Sequence, residues 1–265
     1  MISSKEYVIK TMVRLLANPK KKFSQNFLID YQTVIKTVDA LKGESKTIIE
    51  IGPGLGALSE EIVNRDYFLY AYEIDQTMVN HLENYFKNKS NFHVIQGDFL
   101  KQDLKYDELI SVVSNIPYSL TTPIIEKVIL LPLQIESFVF MVQKEVGLRI
   151  MAKKGSKDYS PLSIFLSYLG KMEVVNKVSR DKFLPSPNVD SIVLKLTFNK
   201  NRDYQKEKKL YQLLNNSFRM RRKTLYNNLH NIENIKEILF RCNIKENARP
   251  EELELNDYLK ILELI

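Results

Sequence analysis

The sequence has almost none of the residues that metal and redox chemistry require. Its 265 residues include a single cysteine, Cys242, and three histidines. One cysteine cannot form an internal disulfide, and His81, His93 and His230 lack the short spacings of metal ligands. We therefore expect neither a metal centre nor a disulfide, and we interpret these four residues as structural.

Long apolar runs are also absent. No uninterrupted run approaches the roughly 20 residues that a membrane-spanning helix needs, and the N-terminus lacks a signal-peptide core before its first charges. Because 44% of the residues are nevertheless hydrophobic, the chain is apolar enough to form a sizeable core. We predict a globular cytoplasmic protein with no membrane partner, built from one large domain and one small domain.

Acidic residues are scarce in one region of the chain. The formal net charge is +7 at pH 7, which suits a polyanionic partner. Residues 200–249 hold 13 Lys and Arg against 5 Asp and Glu, whereas residues 250–265 hold 1 against 5. A solvated helix face would explain part of this excess. The tight cluster RMRRK at 219–223 favours contact with nucleic acid phosphates instead.

Short apolar, β-branched segments alternate with amphipathic segments over the first 199 residues. This alternation predicts an α/β fold, and strands so apolar fit a mostly parallel sheet with helices on both faces. We interpret the last two segments as an antiparallel pair at the sheet edge. The predicted strands are residues 47–51, 67–72, 92–96, 109–114, 137–142, 174–178 and 191–198.

The pattern changes after residue 199. Residues 199–209 are polar and charged, which indicates a linker or the start of a helix. Apolar residues then recur at helical spacing over residues 210–229, 232–240 and 253–264, with no convincing strand. We therefore predict two domains, residues 1–199 and a small all-helical domain of residues 200–265.

The first predicted strand runs into a glycine-rich turn at residues 52–56 (GPGLG), followed by a helix from about residue 58. Glycines at such a turn allow the backbone to approach a ligand closely. Gly52, Gly54 and Ala57 also match the dinucleotide fingerprint GxGxxG/A, and Glu73 ends the next strand as a ribose ligand would. The turn by itself is therefore also consistent with an NAD-dependent dehydrogenase.

Three acidic residues favour a different cofactor. Glu50 precedes the first glycine, where its charge would repel a pyrophosphate but suit the cationic amino acid end of S-adenosylmethionine. Asp98 follows the third strand, where a carboxylate can accept a hydrogen bond from an adenine amine. Together with Glu73, these acids lie at the ends of three successive strands and converge on one crevice. Helix caps or solvated loop acids are the alternative interpretation.

The fourth predicted strand leads into Asn115-Ile116-Pro117-Tyr118. The amine of adenine is a poor nucleophile because its lone pair is conjugated with the ring, so acceptors must draw the nitrogen toward tetrahedral geometry. The Asn115 side-chain oxygen and the Ile116 carbonyl, held by Pro117, can accept the two amine protons. Tyr118 can stack on the base, and Phe183 is predicted to cover its other face. The alternatives are an ordinary turn and a buried loop residue.

These motifs resemble the ribosomal RNA adenine N6,N6-dimethyltransferase family, specifically its bacterial small-subunit members. The resemblance covers nearly the whole chain, including KFSQNFL at 22–28, FLPSPNVDS at 183–191, RRKTL at 221–225 and RPEEL at 249–253. It implies a Rossmann-like class I methyltransferase fold with S-adenosyl-L-methionine as cofactor. Residues 1–199 would form the catalytic domain and residues 200–265 the RNA-binding domain.

The motifs and the resemblance together predict three groups of site residues and no metal ligand. The predicted cofactor-binding residues are Gln25, Asn26, Leu28, Glu50, Gly52, Gly54, Gly56, Glu73, Ile74, Asp98, Phe99 and Asn115. The predicted catalytic residues are Asn115, Ile116, Pro117, Tyr118 and Phe183. The predicted RNA-binding residues are Lys20, Lys21, Lys22, Arg219, Arg221, Arg222 and Lys223.

The C-terminal motifs carry the substrate prediction. Related macrolide-resistance methyltransferases act on large-subunit RNA and share the Asn-Ile-Pro-Tyr core, but their C-terminal domains look different. The resemblance implies dimethylation of two adjacent adenines in the 3′-terminal hairpin loop of small-subunit (16S) ribosomal RNA, on the pre-30S subunit, during ribosome biogenesis. A monomer would suffice for this reaction. The alternatives are a large-subunit enzyme, a DNA adenine methyltransferase and a non-catalytic assembly factor that binds RNA.

Overall fold

The computed structural model describes residues 1–15, 26–220 and 222–265. The chain forms two compact units. The sheet unit consists of Met1–Gly147 and Glu173–Phe198, and the helical unit consists of Leu148–Met172 and Asn199–Ile265. Predicted site residues outside the described part of the chain are Gln25, Lys20, Lys21, Lys22 and Arg221.

The described residues contain nine strands, two of which are only two residues long. They are β1 (Phe27–Leu28), β2 (Thr47–Ile51), β3 (Phe68–Glu73), β4 (Phe92–Gln96), β5 (Ile110–Asn115), β6 (Ile135–Gln143), β7 (Gly170–Val178), β8 (Phe183–Leu184) and β9 (Ser191–Phe198). Strands β1 and β8 pair with each other in antiparallel orientation. The other seven form one sheet in the order β4-β3-β2-β5-β6-β9-β7.

The helices of the described residues are mostly short. They are α1 (Lys5–Arg14), α2 (Tyr31–Asp39), α3 (Ala57–Asn64), α4 (Gln76–Tyr85), α5 (Thr121–Leu130), α6 (Lys144–Ile150), α7 (Pro161–Leu169), α8 (Tyr204–Ser217), α9 (Leu225–Asn228), α10 (Ile235–Arg241) and α11 (Leu255–Leu262). Short 3-10 turns lie at Phe99–Lys101, Tyr118–Leu120, Arg180–Lys182 and Pro250–Glu252. Across the described ranges, no helix combines the length and apolar character that crossing a bilayer requires.

The sheet confirms the predicted mostly parallel α/β architecture. Strands β4, β3, β2, β5 and β6 are parallel neighbours, and β9 is antiparallel to β6. Strand β2 is buried along its whole length, as expected of a strand covered on both faces. The strand order turns back between β2 and β5, and the rule that such crossovers are right-handed therefore assigns α3 and α4 to one face of the sheet and α5 to the other.

The helical unit differs from its predicted pattern in one place. The apolar spacing predicts helix through residues 210–229, but α8 ends at Ser217 and α9 begins only at Leu225. Between these helices the Asn228 side chain accepts a hydrogen bond from the Met220 backbone N–H at 2.8 Å. A side chain that bonds the backbone in this way competes with helical hydrogen bonding.

The helical unit also contains α7, which precedes the predicted boundary at residue 199. This helix has a capping box in which Ser160 and Ser163 exchange hydrogen bonds with each other's backbone, and Pro161 is its first residue. Both features fix its start. The functional division into residues 1–199 and 200–265 stays a prediction.

Candidate active site

A crevice of about 330 Å³ opens at the carboxyl ends of the central parallel strands. Its walls come from the segments that follow β2, β3, β4 and β5, together with the N-terminal segment and β1. The chain order of the sheet reverses between β2 and β5, and ligands of open α/β sheets bind at such a reversal.

Most of the predicted cofactor and catalytic residues line this crevice. They are Asn26, Leu28, Glu50, Gly52, Gly54, Glu73, Ile74, Asp98, Phe99, Asn115, Ile116, Pro117 and Tyr118. The structure thus brings together residues that lie up to 92 positions apart in the sequence. Gly56 and Phe183 lie elsewhere.

The three glycines of the turn have different surroundings. All three have positive φ angles, of +68° at Gly52, +57° at Gly54 and +92° at Gly56. A Cβ at Gly52 would meet nothing within 4 Å, so a ligand has room to approach its backbone. A Cβ at Gly56 would lie 2.9 Å from the Leu82 side chain. Gly56 therefore allows the turn to pack on α4, whereas its predicted cofactor contact stays untested.

Glu50 is a buried acid, only 2% exposed. The Ser59 hydroxyl donates a hydrogen bond to its carboxylate at 2.5 Å. Burial raises the Glu50 pKa to about 8; the Ser59 hydrogen bond opposes this shift and the charge of Glu73 adds to it. Within the described residues no lysine or arginine pairs with Glu50. A buried carboxylate without a cation fits the ammonium group of S-adenosylmethionine.

Glu73 and Asp98 also carry structural hydrogen bonds. The Glu73 carboxylate accepts the backbone N–H groups of Gly54 at 3.0 Å and Asp75 at 2.9 Å. Burial raises the pKa of Glu73, although these two hydrogen bonds oppose the shift. Asp98 caps a 3-10 turn by accepting the Leu100 backbone N–H at 3.0 Å. Both acids line the crevice, so capping and ligand contact are compatible here.

Asn115 is oriented by the backbone of the segment before β1. Its side-chain nitrogen donates to the Asn26 carbonyl at 3.3 Å, which leaves the side-chain oxygen as an acceptor. The Ile116 backbone N–H donates to the Met141 carbonyl of β6 at 3.1 Å, and Pro117 has φ −55°. The segment is thus held on two sides, with its acceptors at the crevice wall.

Tyr118 lies at the start of the following 3-10 turn and is half-buried. Its hydroxyl is 2.8 Å from the Ser191 hydroxyl. Burial raises the pKa of Tyr118, with the Ser191 hydrogen bond opposing. The ring is therefore fixed by a contact at its far end, which suits a stacking surface.

The structure places Phe183 differently from the prediction. Its side chain is 2% exposed and belongs to the hydrophobic core of the sheet unit. Phe183 pairs with Leu28 in the short β1–β8 ladder, and both residues belong to this core. This arrangement matches the alternative interpretation of the sequence, in which Phe183 is a buried loop residue. Stacking on a base would require the ring to become exposed.

The N-terminal segment contributes residues that the sequence motifs did not identify. Ile2 and Val8 line the crevice and are fully buried. The Ile2 backbone N–H donates to Glu60 at 2.9 Å, and Arg14 of α1 lies 3.1 Å from the His81 ring nitrogen. The sequence feature that could have identified them is the Ser4 cap followed by an amphipathic helix.

In the described residues no group of three or more His, Cys, Asp or Glu side chains could hold a metal.

Three of the predicted RNA-binding residues, Arg219, Arg222 and Lys223, lie between α8 and α9 of the helical unit, and we call these three the basic turn. Arg219, Arg222 and Lys223 are all exposed. Across the described residues none of these three has an acidic partner. The Asn228 amide, itself 8% exposed, donates to the Met220 carbonyl at 3.2 Å as well as accepting its N–H. These two hydrogen bonds join the Met220 backbone to the end of α9.

The parallel sheet, the glycine turn and the buried acid before it define a class I methyltransferase that uses S-adenosylmethionine. A family model described as ribosomal RNA adenine dimethylase matches residues 16–265. Ribosomal RNA small subunit methyltransferase A of Mycoplasmopsis pulmonis is 43% identical over 220 residues, covering 83% of this chain and 87% of that protein. The protein of the same name from Mycoplasma capricolum is 40% identical over 259 residues, covering 93% and 97%.

Solved structures give the same result. A dimethyladenosine transferase from Plasmodium falciparum matches with a TM-score of 0.74 and 25% identity, over 89% of this chain and 96% of that one. The 23S rRNA methyltransferase ErmE matches with a TM-score of 0.68 and 24% identity, over 90% and 98%, and shares the fold. The chain belongs to the ribosomal RNA adenine dimethylase family.

Family membership confirms that the protein is an enzyme that uses S-adenosylmethionine to methylate ribosomal RNA adenine. The NAD-dependent dehydrogenase that the glycine turn left open is therefore excluded. The roles of individual residues in the crevice and the basic turn stay predictions.

Proposed function

We propose that this enzyme dimethylates N6 of two adjacent adenines in the 3′-terminal hairpin loop of 16S ribosomal RNA. It acts as a cytoplasmic monomer on the pre-30S subunit. One observation carries the chemistry: Asn115 and Tyr118 share a crevice wall with the buried acids Glu50 and Glu73. Relatives that match most of the chain carry the name of a small-subunit enzyme, which favours the small over the large subunit.

The crevice residues divide into a cofactor end and a base end. Glu50 would hold the ammonium group, and the open backbone at Gly52 would allow close approach. Glu73 would accept hydrogen bonds from ribose hydroxyls, and Asp98 from the adenine amine of the cofactor. When bound, S-adenosylmethionine supplies an electrophilic methyl group on a sulfonium.

The base end orients the amine that is methylated. The Asn115 side-chain oxygen and the Ile116 carbonyl accept hydrogen bonds from its two N–H groups, so the nitrogen lone pair is drawn out of conjugation with the ring. Tyr118 holds the extruded base by stacking, which is worth about 1–3 kcal/mol per base. These residues act by orientation and hydrogen bonding, and none of them forms a covalent bond to the substrate.

Methyl transfer to isolated subunits tests the proposal. The substrates are small subunits that lack the modification and, as a control, large subunits, each incubated with labelled S-adenosylmethionine and analysed as nucleosides. Dimethyladenosine confined to small-subunit RNA is the expected result. Label confined to large-subunit RNA would contradict the proposed substrate. RNA binding without any label would contradict the proposed reaction.

Substitutions at Tyr118 separate its ring from its hydroxyl. Tyr118→Ala is expected to lose most activity, by about 10- to 100-fold, because the stacking surface is removed. Tyr118→Phe should keep most activity, since it loses only the hydrogen bond to Ser191, worth about 1 kcal/mol. Single-turnover methyl transfer measures both. If the phenylalanine variant is the weaker of the two, the hydroxyl rather than the ring carries the function.

Glu50 is expected to make cofactor binding depend on pH. Its pKa of about 8 in the cofactor-free protein leaves it mostly neutral at about pH 6.5. A ligand ammonium favours the charged form of Glu50, so affinity for S-adenosylmethionine should rise about tenfold from about pH 6 to about pH 7.5, below the pH at which the ligand's own α-ammonium loses its proton. Titration calorimetry at pH 7 in buffers of different ionisation enthalpy should detect proton release. An affinity that does not change over this range would contradict the assignment.

The same group sets a trend in stability. The folded-state pKa of Glu50, about 8, lies above its ordinary value of 4.5, so between these values the folded state binds more protons than the unfolded state. The free energy of unfolding of the cofactor-free protein should therefore fall as pH rises through this range. Glu50→Gln should remove this fall and weaken cofactor binding. Denaturant unfolding at a series of pH values, with Glu44→Gln as an exposed control, tests the sign.

A further inference from the structure

The helical unit contains a second cleft, formed by α9, α10 and the chain that follows α10. Its volume is about 380 Å³, within the range of sites that hold small organic groups. None of its lining residues lines the crevice of the sheet unit. Nothing in the proposed methyl transfer uses it.

A solvent-exposed aromatic ring lies at this cleft. Phe240 is 81% exposed, the most exposed large hydrophobic side chain among the described residues. Its neighbour Leu239 also lines the cleft but is only 3% exposed. The helix is therefore held by its buried face while it presents the Phe240 ring. A ring held in this way offers a flat surface for stacking.

The other lining residues match the chemistry of a nucleotide. Asn227 and Asn247 are exposed amides, which can both donate to and accept from a base edge. Glu246 can accept a hydrogen bond from an exocyclic amine of adenine or cytosine. The Lys236 ammonium lies 5.2 Å from the centre of the Tyr226 ring, where it can reach a phosphate.

The cleft is continuous with the basic turn. Thr224, which lines the cleft, caps α9 by accepting the Asn227 backbone N–H at 3.3 Å. The two residues before it are the exposed Arg222 and Lys223. A chain whose phosphates contact these two residues thus has a neighbouring place for a base. Positive charge beside a stacking ring is the combination that single-stranded nucleic acids require.

We propose that this cleft binds one unpaired nucleotide of the ribosomal RNA, with its base stacked on Phe240. The base carries an exocyclic amine that faces Glu246, and its flanking phosphates contact Lys236 and the basic turn. The nucleotide is not the adenine that is methylated. This inference rests on the proposed function for the identity of the RNA, and it adds a contact by which the helical unit selects its substrate.

Substitutions at Phe240 test the stacking directly. The full-length enzyme is titrated with protein-free 16S ribosomal RNA and with small subunits that lack the modification. Phe240→Ala and Phe240→Leu are expected to weaken binding about tenfold, whereas Phe240→Trp keeps wild-type affinity because every base can stack on an indole. Phe68→Ala removes another exposed ring, 52% exposed, and should have no effect. The affinity for S-adenosylmethionine should be unchanged in every variant.

Several results would overturn the inference. If Phe240→Leu binds RNA with wild-type affinity, the ring does not stack on a base. If Phe240→Trp loses as much RNA affinity as Phe240→Leu, the ring does not stack either. A loss seen with subunits but not with protein-free RNA assigns the cleft to a ribosomal protein. Displacement of the RNA by millimolar AMP assigns it to a free nucleotide. Absence of methyl transfer by the wild type to small subunits is a separate failure, that of the proposed function.

Discussion

Replacing Asn115 with alanine is expected to lower the rate of methyl transfer by about 100- to 1,000-fold, the usual cost of removing one preorganised polar group from a reacting centre. The variant loses the side-chain oxygen that accepts an amine proton. It also loses the hydrogen bond to the Asn26 carbonyl. This hydrogen bond joins two uncharged groups and is only partly buried. Cofactor affinity should therefore change by only a few-fold.

The measurement is single-turnover transfer of labelled methyl to small subunits, together with calorimetric titration of S-adenosylmethionine. Ser114→Ala is a matched control because Ser114 is the preceding residue, and its buried hydroxyl bonds the Ile51 carbonyl at 2.8 Å. This control perturbs the same strand end without removing an acceptor from the amine. If Asn115→Ala retains more than a tenth of the wild-type rate, Asn115 does not orient the amine.

The double substitution of Arg222 and Lys223 by alanine is expected to weaken RNA binding about 10- to 100-fold near physiological salt. Each cation that neutralises a phosphate releases condensed counterions on binding, so losing two should reduce the slope of log K against log salt by about 1.4 for single-stranded RNA. The effect should be equally large for related RNA sequences, because phosphate contacts carry no sequence information.

The control is Lys208→Ala with Lys209→Ala, two exposed lysines of α8 in the same helical unit. Both double variants lose the same charge, so a general effect of net charge would lower both salt slopes equally. Filter binding at several salt concentrations measures the slopes. Equal salt slopes in the two variants would show that the basic turn does not contact RNA.

Local sequence determined the strands of the central sheet. All seven predicted strands are present, and residues 47–51, 92–96 and 191–198 match their observed bounds. Their apolar, β-branched character is a property of each short segment, and it predicts a buried strand wherever the segment lies. The glycine turn and the Asn115–Tyr118 segment could be assigned for the same reason, because each motif occupies a few consecutive residues.

Local sequence could not predict contacts between distant segments. The apolar pattern of α1 indicates a buried helix face but does not show that Val8 lines the crevice. The FLPSPNVDS motif suggests a rigid loop around Phe183, but it does not show that this residue pairs with β1 and packs into the core. The break between α8 and α9 depends on where the Asn228 amide lies, which helical spacing does not specify.

The sequence by itself determined the class of fold, the family, the cofactor and the reaction, because these follow from motifs that are continuous along the chain. Only the tertiary structure decided which of the predicted residues meet in one crevice, which glycine packs against a helix, and which segments join the helical unit. These outcomes depend on side chains from distant positions competing for the same space, so the pattern of any single segment does not contain them.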